Sequence, residues 1–153
     1  MDAMQFAISG PDGTPYENGL FIFDTYFPHT YPHEPPKVNL STTGGGSVRF
    51  NPNLYNCGKV CLSLLGTWQG QPWVAFESTM LQVLVSIQAL ILVPHPMLNE
   101  PGWENRMHSK ESNEYNAERK VATLRWAMLD QIEHPKPGFE DITRLHFLLK
   151  RDE

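Results

Sequence analysis

Residues 50–65 read Phe-Asn-Pro-Asn-Leu-Tyr-Asn-Cys-Gly-Lys-Val-Cys-Leu-Ser-Leu-Leu, and this segment is the most informative part of the chain. It places Cys61 where a turn-rich stretch gives way to an apolar run. A thiol near its ordinary pKa of about 8.5 is slightly ionised at neutral pH and is already a good nucleophile, able to form a thioester. We therefore take Cys61 as the candidate nucleophile, against the alternative of a buried and inert cysteine.

Asn53 lies eight positions before Cys61, in an Asn-Pro-Asn turn. Its side-chain amide could donate a hydrogen bond to a developing oxyanion, or brace the loop that does so. A thiol protease would add a paired histidine and a third residue to orient it. The histidines stand in no recognisable protease signature; they are at positions 29, 33, 95, 108, 134 and 146. The pattern therefore favours thioester carriage over peptide hydrolysis.

The composition is that of a single globular domain spanning residues 1–153. Hydrophobic residues make up 41% of the chain and charged residues 19%, which is typical of a folded protein rather than a disordered one. The formal net charge is −5, with no long basic run. Phosphate binding needs clustered Lys and Arg, so the sequence argues against nucleic acid as the main partner.

Cys57 is the only other cysteine and lies four positions before Cys61. Two cysteines are too few for the disulfide framework of a secreted protein. A CxxxC zinc half-site is conceivable, but no second Cys/His pair completes it, so we expect neither a metal nor a cofactor. We interpret Cys57 as an exposed loop thiol, with the alternative that it is a redox partner that blocks Cys61.

No basic segment followed by an apolar one begins the chain, so we expect no signal peptide. The longest apolar stretch, residues 81–93, contains three polar residues and is too short to span a bilayer. These features predict a protein of the cytoplasm or the nucleus, neither secreted nor membrane-spanning.

Strands are expected at residues 4–9, 19–27 and 37–41, because these segments are rich in aromatic and β-branched residues and are bounded by turn formers. Residues 28–36 hold four prolines and must form an extended loop. Three antiparallel strands joined in sequence make a meander. Helices are expected after it, so the fold class is α+β.

Three helices are expected in the second half of the chain. Residues 78–92 are apolar nearly all round, which predicts a central buried helix, capped by Ser78 or Thr79 and ended by Pro94 and Pro96. Residues 110–133 and 139–150 show helical spacing of apolar residues and follow as the second and third helices.

Residues 51–53 together with 58–65 resemble the active-site segment of ubiquitin-conjugating (E2) enzymes, in which a His-Pro-Asn turn precedes the cysteine at this spacing. Residues 10–19 and the proline-rich stretch 27–38 are similar to the family as well, and the resemblance extends over residues 4–150. Within the family, the segment looks most like the catalytic domain of very large E2 proteins, including hybrid E2/E3 enzymes. Asn51 replaces the usual histidine, which has a structural role, so the chemistry should survive.

The resemblance implies a role for each matching residue, in an ATP-dependent pathway. Cys61 would accept ubiquitin from the activating enzyme (E1) as a thioester and pass it to a lysine of a substrate protein or to a ligase cysteine. Asn53 would stabilise the oxyanion or its loop. Glu100 would orient the attacking lysine and accept its proton, and Tyr55 and Asn99 would line the same substrate-lysine groove.

The resemblance also places the two loops that contact RING-type ligases, at His33 and Pro35 and at Trp73 and Ala75. His33 and Glu34 stand where an apolar residue and a lysine are usual, and Ala75 replaces a proline. These departures favour self-contained ligase activity in a larger protein over recognition by a RING-type ligase.

The resemblance implies a UBC-like fold, with the meander followed by the central helix and the C-terminal helices. The family's first helix and first strand have no counterpart here, so we expect a UBC core domain truncated at its N-terminus. The alternative function, from a different class, is a truncated or non-catalytic E2-like domain that binds ubiquitin as a scaffold.

Overall fold

The computed structural model describes residues 2–151. Its sheet is a three-stranded antiparallel meander of β1 (Ala3–Ser9), β2 (Leu20–Tyr26) and β3 (Lys37–Leu40), in the order β1-β2-β3. Across the first pair Phe6 lies opposite Phe23, and their rings stack with centroids 4.9 Å apart. The predicted strands and their order are confirmed.

The central strand β2 carries the aromatic core. Phe21 and Phe23 are fully buried, and the ring of Phe21 meets that of Phe50 edge-on at 5.1 Å. Phe50 begins the segment that leads to Cys61, so this contact joins the sheet to the candidate site. Aromatic pairs of this kind add about 0.5–1.5 kcal/mol beyond the burial of their area.

Helices follow the sheet, as the sequence predicts. Helix α1 (Met80–Ser86) continues as a π-helical turn (Ile87–Ile91), and Thr79 caps it in a reciprocal capping box with Gln82. Helix α2 (Lys110–Ala122) runs through a π-helical segment (Thr123–Leu129) into α3 (Asp130–Glu133), and α4 (Glu140–Leu149) is separate. Short 3₁₀ turns occupy Ser63–Leu65 and Pro96–Asn99. The α+β fold class is confirmed.

The central helix is buried on one face only, which corrects the expectation of burial all round. Its inward residues are at most 2% exposed and follow helical spacing; they are Val83, Ile87 and Ile91. Its outward residues are more than half exposed; they are Leu81, Val85 and Leu90. The buried core, which includes Phe21 and Phe23, covers only one side of this helix. An all-round apolar pattern does not reveal which side stays open.

No helix within residues 2–151 has the length and apolar character needed to cross a membrane.

Candidate active site

Cys61 and Asn53 face each other across a tight hairpin. The backbone N–H of Cys61 donates to the carbonyl oxygen of Asn53 at 2.8 Å, and the Asn53 side-chain amide donates to the carbonyl oxygen of Cys61 at 2.9 Å. Gly58 turns the chain between them with φ of 89°, a conformation that favours glycine. The eight-residue spacing seen in the sequence is therefore the length of this hairpin.

Asn51 anchors the hairpin to the core and is fully buried. Its side-chain oxygen accepts from the N–H of Asn53 at 2.8 Å, and its amide donates to the carbonyl oxygen of Ile91 at 2.7 Å. The amide also lies 3.2 Å from the hydroxyl of Tyr16, which donates to the Phe50 carbonyl oxygen at 2.8 Å. Burial raises the pKa of Tyr16, so it remains a neutral donor. Asn51 thus has a structural role.

The Cys61 thiol opens into a small pocket, although the residue is only 3% exposed. This thiol pocket has a volume of about 220 Å³ and is lined, besides Cys61, by Asn53, Leu62, Ser63, Trp68, Gln69, Leu90, Ile91 and Asn99. Burial raises the pKa of Cys61, and the positive charges of Lys59 and Arg49 act against that effect. The thiol is therefore mostly protonated at neutral pH.

A larger cleft of about 730 Å³ adjoins the thiol pocket and shares Trp68, Gln69 and Asn99 with it. Its remaining lining residues come from the same two loops; they are Gly66, Thr67, Pro101 and Glu104. The hydroxyl of Thr67 donates to the Val60 carbonyl oxygen at 2.7 Å and fixes the first loop against the hairpin. Gln69 and Glu104 were not predicted from the sequence. Their only signal was their position in two loops flanking the active-site segment.

Asn99 and Glu100 are neighbours in sequence but point to different places. Asn99 lines both the thiol pocket and the cleft, and its amide donates to the Leu90 carbonyl oxygen at 2.9 Å. Glu100 lines a separate pocket of about 160 Å³ and pairs with Arg49 at 3.6 Å.

Tyr55 is linked to Glu100 through Arg49, whose guanidinium carbon lies 4.1 Å from the centroid of the Tyr55 ring. The structure therefore brings Cys61, Asn53 and Asn99 together around the thiol pocket, and Tyr55 and Glu100 together around Arg49. Arg49 was not predicted from the sequence. Its signal was a lone cation immediately before the buried segment.

The two loops predicted to contact ligases lie side by side. The indole N–H of Trp73 donates to the Pro32 carbonyl oxygen at 2.8 Å, and the His33 ring meets the Phe76 ring edge-on at 4.9 Å. Ala75 is half-buried. Pro35 lines a pocket further along the proline-rich loop. Phe76, which the sequence analysis did not single out, is 73% exposed and offers the largest apolar surface here.

Cys57 is exposed, and both cysteines are free thiols. Within residues 2–151, no group of three or more His, Cys, Asp or Glu side chains is arranged to hold a metal ion.

Comparison with known proteins agrees with this geometry. The family model described as ubiquitin-conjugating enzyme matches residues 1–125. The chain belongs to the ubiquitin-conjugating enzyme family, and the predicted E2-type function is confirmed at the level of the family.

Two relatives illustrate the match. The human dual E2 ubiquitin-conjugating enzyme/E3 ubiquitin-protein ligase BIRC6 is 54% identical over 160 residues, which cover 100% of this chain and 3% of that protein. The probable ubiquitin-conjugating enzyme protein 17 of Caenorhabditis elegans is 50% identical over 159 residues, covering 99% of this chain and 22% of that protein. The chain thus spans a small fraction of the length of these relatives.

Proposed function

We propose that this domain carries ubiquitin as a thioester on Cys61. The Cys61 thiolate attacks the thioester carbonyl carbon that joins ubiquitin to the activating enzyme, a new thioester forms, and the thiolate of the activating enzyme leaves. A substrate lysine amine, or a ligase thiolate, then attacks the Cys61 thioester, and Cys61 leaves as thiolate. The observation that carries the proposal is the reciprocal Asn53–Cys61 clamp, which holds the nucleophile at the mouth of a pocket.

Asn53 has two candidate roles, and its hydrogen bonds support the bracing role. Its amide donates to the Cys61 carbonyl oxygen at 2.9 Å, and its buried side-chain oxygen has no hydrogen-bond partner within residues 2–151. The amide nitrogen has two N–H donors, and the bond to Cys61 commits one of them to bracing the backbone beside the thiol. We propose that Asn53 keeps the Cys61 backbone in place during both transfers.

Glu100, Asn99 and Tyr55 are proposed to form the path of the acceptor lysine. A carboxylate favours the charged form of a lysine, so Glu100 would act by orienting the amine and by accepting its proton rather than by lowering its pKa. Its ion pair with Arg49 joins two half-exposed side chains and is therefore weak enough to exchange for an ammonium partner.

The proposed partners are ubiquitin, an ATP-dependent activating enzyme and substrate proteins, met in the cytoplasm or the nucleus. A ligase function within the same polypeptide is supported by the human relative, which is named a dual E2 and E3 protein. The loops of His33 and Trp73 offer the alternative, a RING-type ligase, with Phe76 as the exposed apolar contact.

A non-reducing gel tests the proposal. The chain is mixed with activating enzyme, ubiquitin and ATP, and we expect one added band that a thiol reductant removes. Cys61→Ser should give a band that resists reductant, because an oxygen ester replaces the thioester, while Cys57→Ser should behave as wild type. Absence of the band would refute thioester carriage by this domain and would support the scaffold alternative.

A further inference from the structure

Two cations flank Tyr55 close to the thiol, although the formal net charge of the chain is −5. The guanidinium carbon of Arg49 lies 4.1 Å from the centroid of the Tyr55 ring, and Nζ of Lys59 lies 5.8 Å from it. Both positive charges act on the Cys61 thiol, where burial is the opposing influence on its pKa. We call Arg49, Tyr55 and Lys59 the basic patch.

Arg49 is held in place but keeps room for a ligand. Its Nη2 donates to the Pro52 carbonyl oxygen at 2.7 Å, and its own carbonyl oxygen accepts from Arg119 at 2.6 Å. The side chain is nevertheless 41% exposed. A guanidinium has five N–H donors, so the bond to Pro52 leaves most of them for another acceptor.

Glu100 shows that a carboxylate fits against Arg49. Its Oε2 lies 3.6 Å from Nη2 of Arg49, and its side chain is 46% exposed. That separation is longer than an ordinary hydrogen bond, and exposed pairs of this kind contribute little. The carboxylate of a visiting polypeptide could therefore take the same place at small cost.

We propose that the basic patch selects acceptor lysines that have an aspartate or glutamate close by in the acceptor polypeptide. This rests on the proposed function of Cys61. The acceptor ammonium would pair with Glu100, and the neighbouring acceptor carboxylate would pair with Arg49 or Lys59, so that two intermolecular pairs replace one internal pair. Because exposed pairs are individually weak, the preference should be about two- to tenfold in kcat/KM.

Two synthetic peptides test this selection. They are identical except that the residues flanking a single lysine are glutamate in one and glutamine in the other. In single-turnover discharge from the loaded domain, we expect the glutamate peptide to react faster. The difference between the two discharge rates should narrow as the NaCl concentration rises from about 0.05 to 0.5 M, since salt screens exposed charges. Free lysine gives the reference rate.

Charge reversal separates recognition from a structural effect. Lys59→Glu should remove or invert the ratio between the two peptides, and Arg49→Gln should reduce it. Arg144→Glu is the matched control, because it makes the same charge change at an exposed position on α4 and should keep the ratio. Equal rates for the two peptides, or a preference that survives Lys59→Glu combined with Arg49→Gln, would overturn the proposal.

A binding measurement on the unloaded protein keeps the two proposals apart. We expect the glutamate peptide, but not the glutamine peptide, to shift the NMR amide signals of residues 55–59. If the glutamate peptide shifts these NMR signals but Cys61 is never loaded with ubiquitin, thioester carriage is refuted and binding at the basic patch is supported. If Cys61 is loaded with ubiquitin but the peptides cause no NMR shifts and react at equal rates, selection by the basic patch is refuted and thioester carriage is retained.

Discussion

The side-chain amide of Asn51 donates to the carbonyl oxygen of Ile91 at 2.7 Å and so ties the turn before Cys61 to the end of the central helix. The same side chain accepts from the N–H of Asn53 at 2.8 Å. One buried residue therefore sets the distance between the hairpin that holds the thiol and the helix that lines its pocket.

Removing Asn51 should destabilise the fold. Asn51→Ala leaves the buried N–H of Asn53 without its acceptor, which costs about 1–3 kcal/mol. It also removes one of two donors to the Ile91 carbonyl oxygen, which keeps the N–H of Val93 at 2.9 Å. Urea unfolding should show a lower midpoint at unchanged slope. Asn56→Ala is the control, since its exposed amide donates to the Gly46 carbonyl oxygen at the surface and its loss should cost under about 0.5 kcal/mol. Equal losses of stability in the two variants would show that Asn51 does not anchor the hairpin to the core.

The turn at Gly58 should tolerate no side chain. Its φ is 89°, and an added Cβ would collide with the side chain of Asn39. Gly58→Ala should therefore cost more than the roughly 1–3 kcal/mol of a strained backbone alone, because the Asn39 side chain must also move. Gly13→Ala has a similar φ of 72° with open space around the new Cβ, and so isolates the backbone contribution. Calorimetric melting of both variants measures their loss of stability. A smaller loss of stability in Gly58→Ala than in Gly13→Ala would contradict the geometry.

The reactivity of Cys61 should rise with pH later than that of an ordinary thiol. Burial raises its pKa, so the thiolate becomes dominant only at higher pH, while Lys59 and Arg49 oppose the rise. In a Cys57→Ser background, the rate of iodoacetamide alkylation against pH should have its midpoint above that of a free cysteine peptide. Lys59→Gln should move the midpoint higher still, and Arg144→Gln should leave it in place. A midpoint below that of the peptide would contradict the burial of the thiol.

The sequence was sufficient for the strands, the helices and the turn before Cys61, because alternation, prolines and the Asn-Pro-Asn pattern are local signals. It was insufficient for the open face of the central helix, since Leu81 and Val85 look no different from Val83 until the sheet is in place. It also missed the partnership of Arg49 with Tyr55 and Glu100, which joins residues far apart along the chain. The single-domain boundary and the roles of the site residues stay predictions.

Glu100 should matter for transfer to lysine more than for loading. Glu100→Gln keeps the shape of the side chain but removes the charge that would orient the amine and accept its proton, so discharge to free lysine should slow by at least about tenfold. Loading by the activating enzyme should change little, because no lysine takes part in it. Pulse-chase gels measure both steps. Equal slowing of loading and discharge would remove the proposed role.

The most direct test of thioester carriage on Cys61 is intact-mass spectrometry of the domain after incubation with activating enzyme, ubiquitin and ATP. We predict a single ubiquitin adduct that is lost on treatment with thiol, absent from Cys61→Ala and present in Cys57→Ala. An adduct that persists in Cys61→Ala, or no adduct on the wild-type chain, would contradict the account.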